Sequence, residues 1–197
     1  MKNLIRLSFI SAVIFSLFAF SADSVQNWKV DKAHSTVSFS INHFFTPVNG
    51  LFDEYEGTFL FDPDNLSESK VDFTIKVASV NTQDTKRDNH LQSGDFFDAK
   101  KYPVIHFVSS RFEKKDGQYY VAHGKLTIRD VTKDIALPLT VLGVTEHPMM
   151  KGTTVMGIQA EAKLNRNDYG VGSGSWAATM VVGDEVTIKI ILEVNHK

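Results

Sequence analysis

Apolar and polar side chains alternate along much of this chain. In Val37-Ser38-Phe39-Ser40-Ile41-Asn42-His43 the apolar residues take the odd positions, and His43 continues their face. Successive side chains of a strand point to opposite sides, so this segment reads as a strand with one apolar and one wet face. The same period returns in Val71–Val77 and in Val186–Ile190, where it runs on through Leu192 and Val194. Weaker versions lie in Leu51–Phe61, around a central Gly57, and in Tyr102–Phe112. Others place Tyr120, Ala122, Gly124, Leu126 and Ile128 on one face, Ile135, Leu137, Leu139 and Val141 on another, and Met156, Ile158, Ala160, Ala162 and Leu164 on a third. The sum is about eight strands at the spacing of an all-β sandwich or barrel. Turn chemistry separates them at Thr46–Gly50, Asp62–Asn65, Lys115–Gly117 and Gly172–Gly174. One polar stretch, Asp84–Gln92, has neither alternation nor Gly or Pro and reads as a short helix. Asp84 suits its N-cap, and Gly94 suits its C-terminal end.

About eight antiparallel strands, each with one apolar face, either stack as two sheets or close on themselves. Closure removes the exposed edges. An eight-stranded barrel is filled by its side chains or holds one small ligand. Alternation does not choose between these, because every version puts the apolar face inside. The 15 phenylalanines suit an apolar ligand wall and a solid core equally well.

The N-terminus changes the setting. Lys2 and Arg6 precede an uncharged, mostly apolar run from Leu7 to Phe20, and Ala19-Phe20-Ser21 resembles a cleavage site, with Ala22 as the alternative. This order predicts a cleaved secretory signal over residues 1–22 and a single domain over 23–197. The run is short for a spanning helix, so no stable membrane anchor is expected. The formal charge is −2, and a leader carrying Lys2 and Arg6 but no acid leaves the rest more acidic still. Such a domain has no electrostatic footprint for nucleic acid. There is no cysteine, which removes disulfides, thiolate metal sites, cysteine catalysis and an N-terminal lipid anchor. Export without disulfides or a lipidated cysteine points to a bacterial periplasm.

Catalytic signatures are scarce. The sequence contains no G-x-S-x-G, no H-E-x-x-H and no phosphate loop. Gly170-Val171-Gly172-Ser173-Gly174 lacks the Lys-Ser/Thr that would make it one and reads as a flexible turn. His34 and His43 differ in parity, and His123 shares its parity with the polar Lys125 and Thr127. His43 reads as a satisfied core residue or as the polar group that meets a ligand head in an apolar pocket. Arg87, Asp88 and His90 share the short helix. They have acid–base chemistry to offer, but no nucleophile accompanies them, and fixing the helix to the barrel is the simpler role. No cofactor or metal is called for.

The ordered runs Ser79-Val80-Asn81-Thr82, Arg87-Asp88-Asn89-His90-Leu91, Asp95-Phe96-Phe97-Asp98 and Tyr102-Pro103-Val104-Ile105-His106-Phe107 closely resemble the signature of the YceI-like family. Trp28-Lys29-Val30-Asp31, His34-Ser35 and Gly124-Lys125-Leu126-Thr127-Ile128 extend the resemblance over nearly the whole chain after the leader. One departure is Asp130, where the family commonly has glycine after Arg129; only a local adjustment is expected there. The resemblance implies an eight-stranded antiparallel lipocalin-like barrel with a helical insertion. It also implies a long amphiphile, notably a polyisoprenoid or isoprenoid quinone, in an elongated apolar cavity, no established catalysis and frequent dimers. On that basis Phe39, Ile41, Phe73, Ile75, Phe107, Leu126, Leu137, Leu139, Ile158, Ile188 and Ile190 would take the tail, with His43 near the head. Leu91, Phe96 and Phe97 would gate one end or plug the barrel floor. The competing functions are an enzyme that acts on such a lipid through Arg87, Asp88 and His90, and a solid barrel that serves as an interaction or stress-response module.

Overall fold

The computed structural model describes residues 25–177 and 180–197; the leader expected over 1–22 lies outside them. The alternating segments form ten strands: β1 (Asn27–His43), β2 (Thr46–Phe52), β3 (Tyr55–Leu60), β4 (Lys70–Lys76), β5 (Val80–Asn81), β6 (Val104–Lys114), β7 (Tyr119–Ile128), β8 (Val131–Glu146), β9 (Thr154–Asn165) and β10 (Val182–His196). One helix, α1 (Thr85–Gln92), sits between β5 and β6. All pairings are antiparallel, and β10 returns to pair with β1, which closes the sheet.

Ten strands make a barrel of eight staves because two staves are broken. β2 pairs with the second half of β1, while β3 pairs with its start through Asn27↔Leu60 and Trp28↔Phe59. On the next stave β4 pairs with β3, and β5 pairs with β2. Ser79 ties the two kinks together: its carbonyl accepts from Asp53 N–H at 3.1 Å and its hydroxyl from Glu54 N–H at 2.9 Å. β1 has 17 residues, which at about 3.3 Å per residue is on the order of 50 Å of strand. The barrel is therefore elongated.

Two local expectations are corrected, and a third position shows the local adjustment expected of it. Thr46–Gly50 is strand, not turn; the chain reverses one step earlier, at Phe44-Phe45. Gly50 is used for space, because the Phe39 ring lies where its Cβ would be. Asp84 does cap α1, accepting from Lys86 N–H and Arg87 N–H, but the helix ends on an extended Ser93 rather than on a left-handed Gly94. At the β7–β8 turn the residue with positive φ is Arg129, at 56°, not Asp130. Asp130 instead accepts a hydrogen bond from the Tyr102 hydroxyl at 2.9 Å.

Gly57 has a reason similar to that of Gly50. It stands opposite Phe73 on β4, and an added Cβ would collide with the Asp72 carbonyl and the Phe73 ring. Gly57→Ala is expected to destabilise by about 1–3 kcal/mol, as overpacking does, and urea denaturation measures it.

Candidate functional site

The inward faces of the staves do not meet at the barrel centre. A cavity of about 140 Å³ runs between them, walled by Val37, Phe73, Leu126, Leu139, Ile158 and Ile190 among others. A second cavity, of about 120 Å³, lies towards α1. Both are lined by Phe52, Ile105, Ile128, Leu164 and Ile188, so the two lie end to end along the barrel interior, as a central and an end stretch. Ser38 is the one polar residue lining the central stretch, and its hydroxyl is spent on the Lys189 carbonyl at 2.8 Å.

The two ends differ. Opposite α1, Phe61 is fully buried among Phe59, Phe112 and Tyr120, with ring centroids 5.2–5.8 Å away. Trp28 closes over this cluster and donates its indole N–H to the Phe61 carbonyl at 2.8 Å. Edge-to-face and tilted aromatic contacts of this kind pack densely, so this end is a plug. At the other end the cover is less deeply buried: Phe96 is buried, but Leu91 and Phe97 are only half-buried. Leu91, Phe96 and Phe97 lie over the second stretch, and Phe97 meets Phe52 at 6.1 Å. These three therefore cover the end near α1; the floor is made by the other aromatic set.

Of the residues expected to contact a ligand, Phe73, Ile75, Phe107, Leu126, Leu137, Leu139, Ile158, Ile188 and Ile190 line the central stretch. Phe39, Ile41, Leu91, Phe96 and Phe97 line the end stretch. His43 lines neither. It is exposed at the end of β1, with its ring edge-on to Phe44 at 4.8 Å. The parity of β1 is intact here, because its pairing with β2 runs without a break from Ser38↔Leu51 to His43↔Thr46; the register shift against β10 puts the extra residues on β10. His43 misses the channel because it is the last residue of β1, beyond Ile41, where the strand has run past the cavity lining and the side chain is exposed.

The polar residues of α1 hold the helix. Arg87 donates from Nε to the Thr82 hydroxyl and from a terminal nitrogen to the Thr82 carbonyl, both at 2.7 Å. Asp88 accepts from Thr82 N–H at 2.8 Å and from its hydroxyl at 2.6 Å. His90 pairs with Asp95 at 2.9 Å and packs its ring between Phe96 and Trp176, each at 5.0 Å. These contacts aim Phe96 and Phe97 at the channel.

Two residues that the sequence reading did not single out shape this end. Arg166 follows β9 in a short 3-10 turn (Arg166–Tyr169) and is 5 % exposed. Its guanidinium donates to five main-chain carbonyls, those of Val171, Gly172, Trp176, Val182 and Gly183, at 2.7–3.0 Å. Burial lowers its pKa, and Asp184 opposes that shift. Gly170, Gly172 and Gly174 are all left-handed around it. The glycine-rich segment is therefore a wrapped cage whose carbonyls converge on one cation. Tyr169 lines the same end stretch and is buried, which raises the pKa of its phenol, with Asp168 adding to the rise. No motif marks either residue; the only cue was an arginine beside a glycine cluster that needed something to organise it.

Apart from Arg166, whose charge is spent on main-chain carbonyls, the ion pairs among the described residues lie outside the channel. His106 pairs with Asp72 at 2.7 Å and His123 with Glu113 at 2.9 Å. Lys115, then His123, lower the Glu113 carboxyl to about 2. Asp31, His34 and Glu193 form a cluster on the bulge of β1, with His34 exposed and the two carboxylates half-buried. The arrangement is thus a long apolar tube with one sealed end, one thinly covered end, and acid–base groups turned to structural contacts.

Comparison with known proteins agrees with this architecture. Residues 28–194 match the YceI-like domain. A protein of Escherichia coli named YceI is 36% identical over 173 residues, covering 86% of this chain and 87% of that relative. Among solved structures, BcnA of Burkholderia cenocepacia superposes with a TM-score of 0.75 at 32% identity, covering 83% of this chain and 98% of its own. A polyisoprenoid binding domain from Saccharophagus degradans shares the fold at a TM-score of 0.67 and 14% identity, covering 87% of this chain and 99% of its own. With its domain matched almost from end to end, and with that fold, the chain belongs to the YceI-like family.

Proposed function

We propose that this protein is a periplasmic carrier that holds a long-chain isoprenoid lipid, a polyprenyl compound or an isoprenoid quinone, inside its barrel. The observation that carries the reading is the elongated channel, apolar along its centre and sealed at one end. A polyprenyl tail is costly in water, and burial returns about 25 cal/mol per Å² of apolar surface. The residues that wall the two stretches are the proposed tail contacts, with His43 left out. The head group lies towards α1, where Arg166 and Tyr169 are the polar residues of the lining. The polyisoprenoid binding domain of Saccharophagus degradans has the same fold, and its name supports the choice of ligand class. The leader-like residues 1–22 support export to the periplasm. Binding is favoured over catalysis because Arg87 and Asp88 are already engaged with Thr82.

Native mass spectrometry of the protein purified from its own compartment tests this. A discrete added mass that fragments as a polyprenyl chain is the expected result. A bare protein that also takes up no added isoprenoid quinone overturns the reading and favours a solid barrel.

A further inference from the structure

The β1–β2 turn, like the β7–β8 turn at Arg129, puts a non-glycine residue in the left-handed region, but here the residue is a bulky, exposed aromatic. His43 pairs with Thr46, so Phe44 and Phe45 form a two-residue hairpin turn. Such turns favour Asn-Gly, Asp-Gly or a glycine in first place, because φ is positive there. Phe44 sits at a φ of 52°, a conformation that is an outlier for a bulky side chain. The turn is also costly in water. Phe44 is 52% exposed and Phe45 96%. Phe44 N–H donates to the Val181 carbonyl at 2.9 Å, which brings Met180, 81% exposed, alongside.

This tip adjoins the channel. Ile41, just before the turn, and Val182, just after Met180, both line the end stretch. The flanking residues Asn42, His43, Thr46, Pro47, Val181, Val182 and Gly183 include no carboxylate, lysine or arginine. A strained backbone conformation is a pointer to function. Here it coincides with solvent-exposed aromatics at the thinly covered end of an apolar tube.

We propose that Phe44, Phe45 and Met180 form a tip that docks into a lipid bilayer surface, so that the lipid passes between membrane and barrel without crossing water. This rests on the carrier reading above. A bilayer fits the tip better than a protein does. The tip is an exposed hairpin end whose flanking residues are uncharged as far as Asp184 on β10, and buried apolar side chains are what interfacial docking requires. A second copy fits less well. Three side chains, at about 150–250 Å² for each aromatic, fall short of the roughly 800 Å² per partner that a stable complex buries. That area suits weak, reversible association.

The test is flotation with vesicles of phosphatidylethanolamine and phosphatidylglycerol, comparing the wild type with the double variant Phe44→Gly, Phe45→Asn. Glycine at a left-handed position relieves strain, so the variant is expected to melt about 2–4 °C higher. Its vesicle-bound fraction is expected to fall at least about tenfold, while uptake of an isoprenoid quinone added in detergent is unchanged. A variant that floats like the wild type overturns the docking tip, as does a wild type that takes up quinone but does not float. In both cases the carrier reading survives. A wild type that neither floats nor takes up quinone removes both. Self-association that the variant abolishes overturns the bilayer in favour of a second copy.

Discussion

Replacing Arg166 with methionine is expected to cost about 3–5 kcal/mol of stability, the range seen when a buried charged group is removed from the partners that surround it. The side chain is 5 % exposed, and its three nitrogens serve five carbonyls across residues 171–183. Methionine fills part of the volume but donates nothing, and each buried carbonyl left without a partner costs about 1–3 kcal/mol. The full sum is not reached, because the segment can open and hydrate. That opening is the second expected signature: the amides of Val171 and Trp176, which now donate to Arg166 and Ser173 carbonyls, should exchange much faster. Arg166→Lys keeps the charge but replaces a planar fork with one point donor group, so it should recover only part of the loss. Urea denaturation of the three proteins, with hydrogen exchange on the first two, measures this. A methionine variant within about 1 kcal/mol of the wild type would mean that the carbonyl cage is not what organises this end of the barrel.

Arg166 also shows where sequence reading stops. The staves were legible because burial imposes a period of two, and that period survives intact in Val71–Val77 and Val186–Val194. Membership of the inner face followed from parity alone, which is why residues from Phe39 to Ile190 lie along the channel. The failures occur where tertiary contacts override local chemistry. Pro47, Asn49 and Gly50 look like a turn, but the second half of β1 needs a partner strand and Phe39 needs the space over Gly50. His43 keeps the parity of β1 but lies at its last position, and alternation does not say where along a strand the cavity ends. Arg166 was overlooked because arginine is ordinarily a surface residue, and its partners are backbone carbonyls that carry no sequence signature. The plug and the lighter cover, both aromatic-rich, are told apart only by which end of which strand they occupy.

Alternation left one question open that a single side chain can decide: whether the barrel is hollow for a purpose. Ala160 is buried on β9, faces the central stretch, and lies between Leu139 on β8 and Ile190 on β10. In a close-packed interior, enlarging such an alanine costs about 1–3 kcal/mol through strain. Beside a cavity of about 140 Å³ the added carbons enter empty space, and each buried CH₂ returns about 0.8 kcal/mol. Ala160→Leu is therefore expected to leave stability unchanged or raise it by about 1 kcal/mol. The same side chain would occupy the path of the tail, and loss of an exclusive volume of that size should weaken uptake of an isoprenoid quinone by at least about tenfold. Thermal denaturation and quinone titration on one preparation give both readouts. Destabilisation with unchanged uptake would place the ligand elsewhere and make the interior a solid core. Stability kept and uptake lost is the combination that a packed barrel cannot produce, because only a cavity kept empty for a ligand accepts a larger side chain at no structural cost and then loses its function.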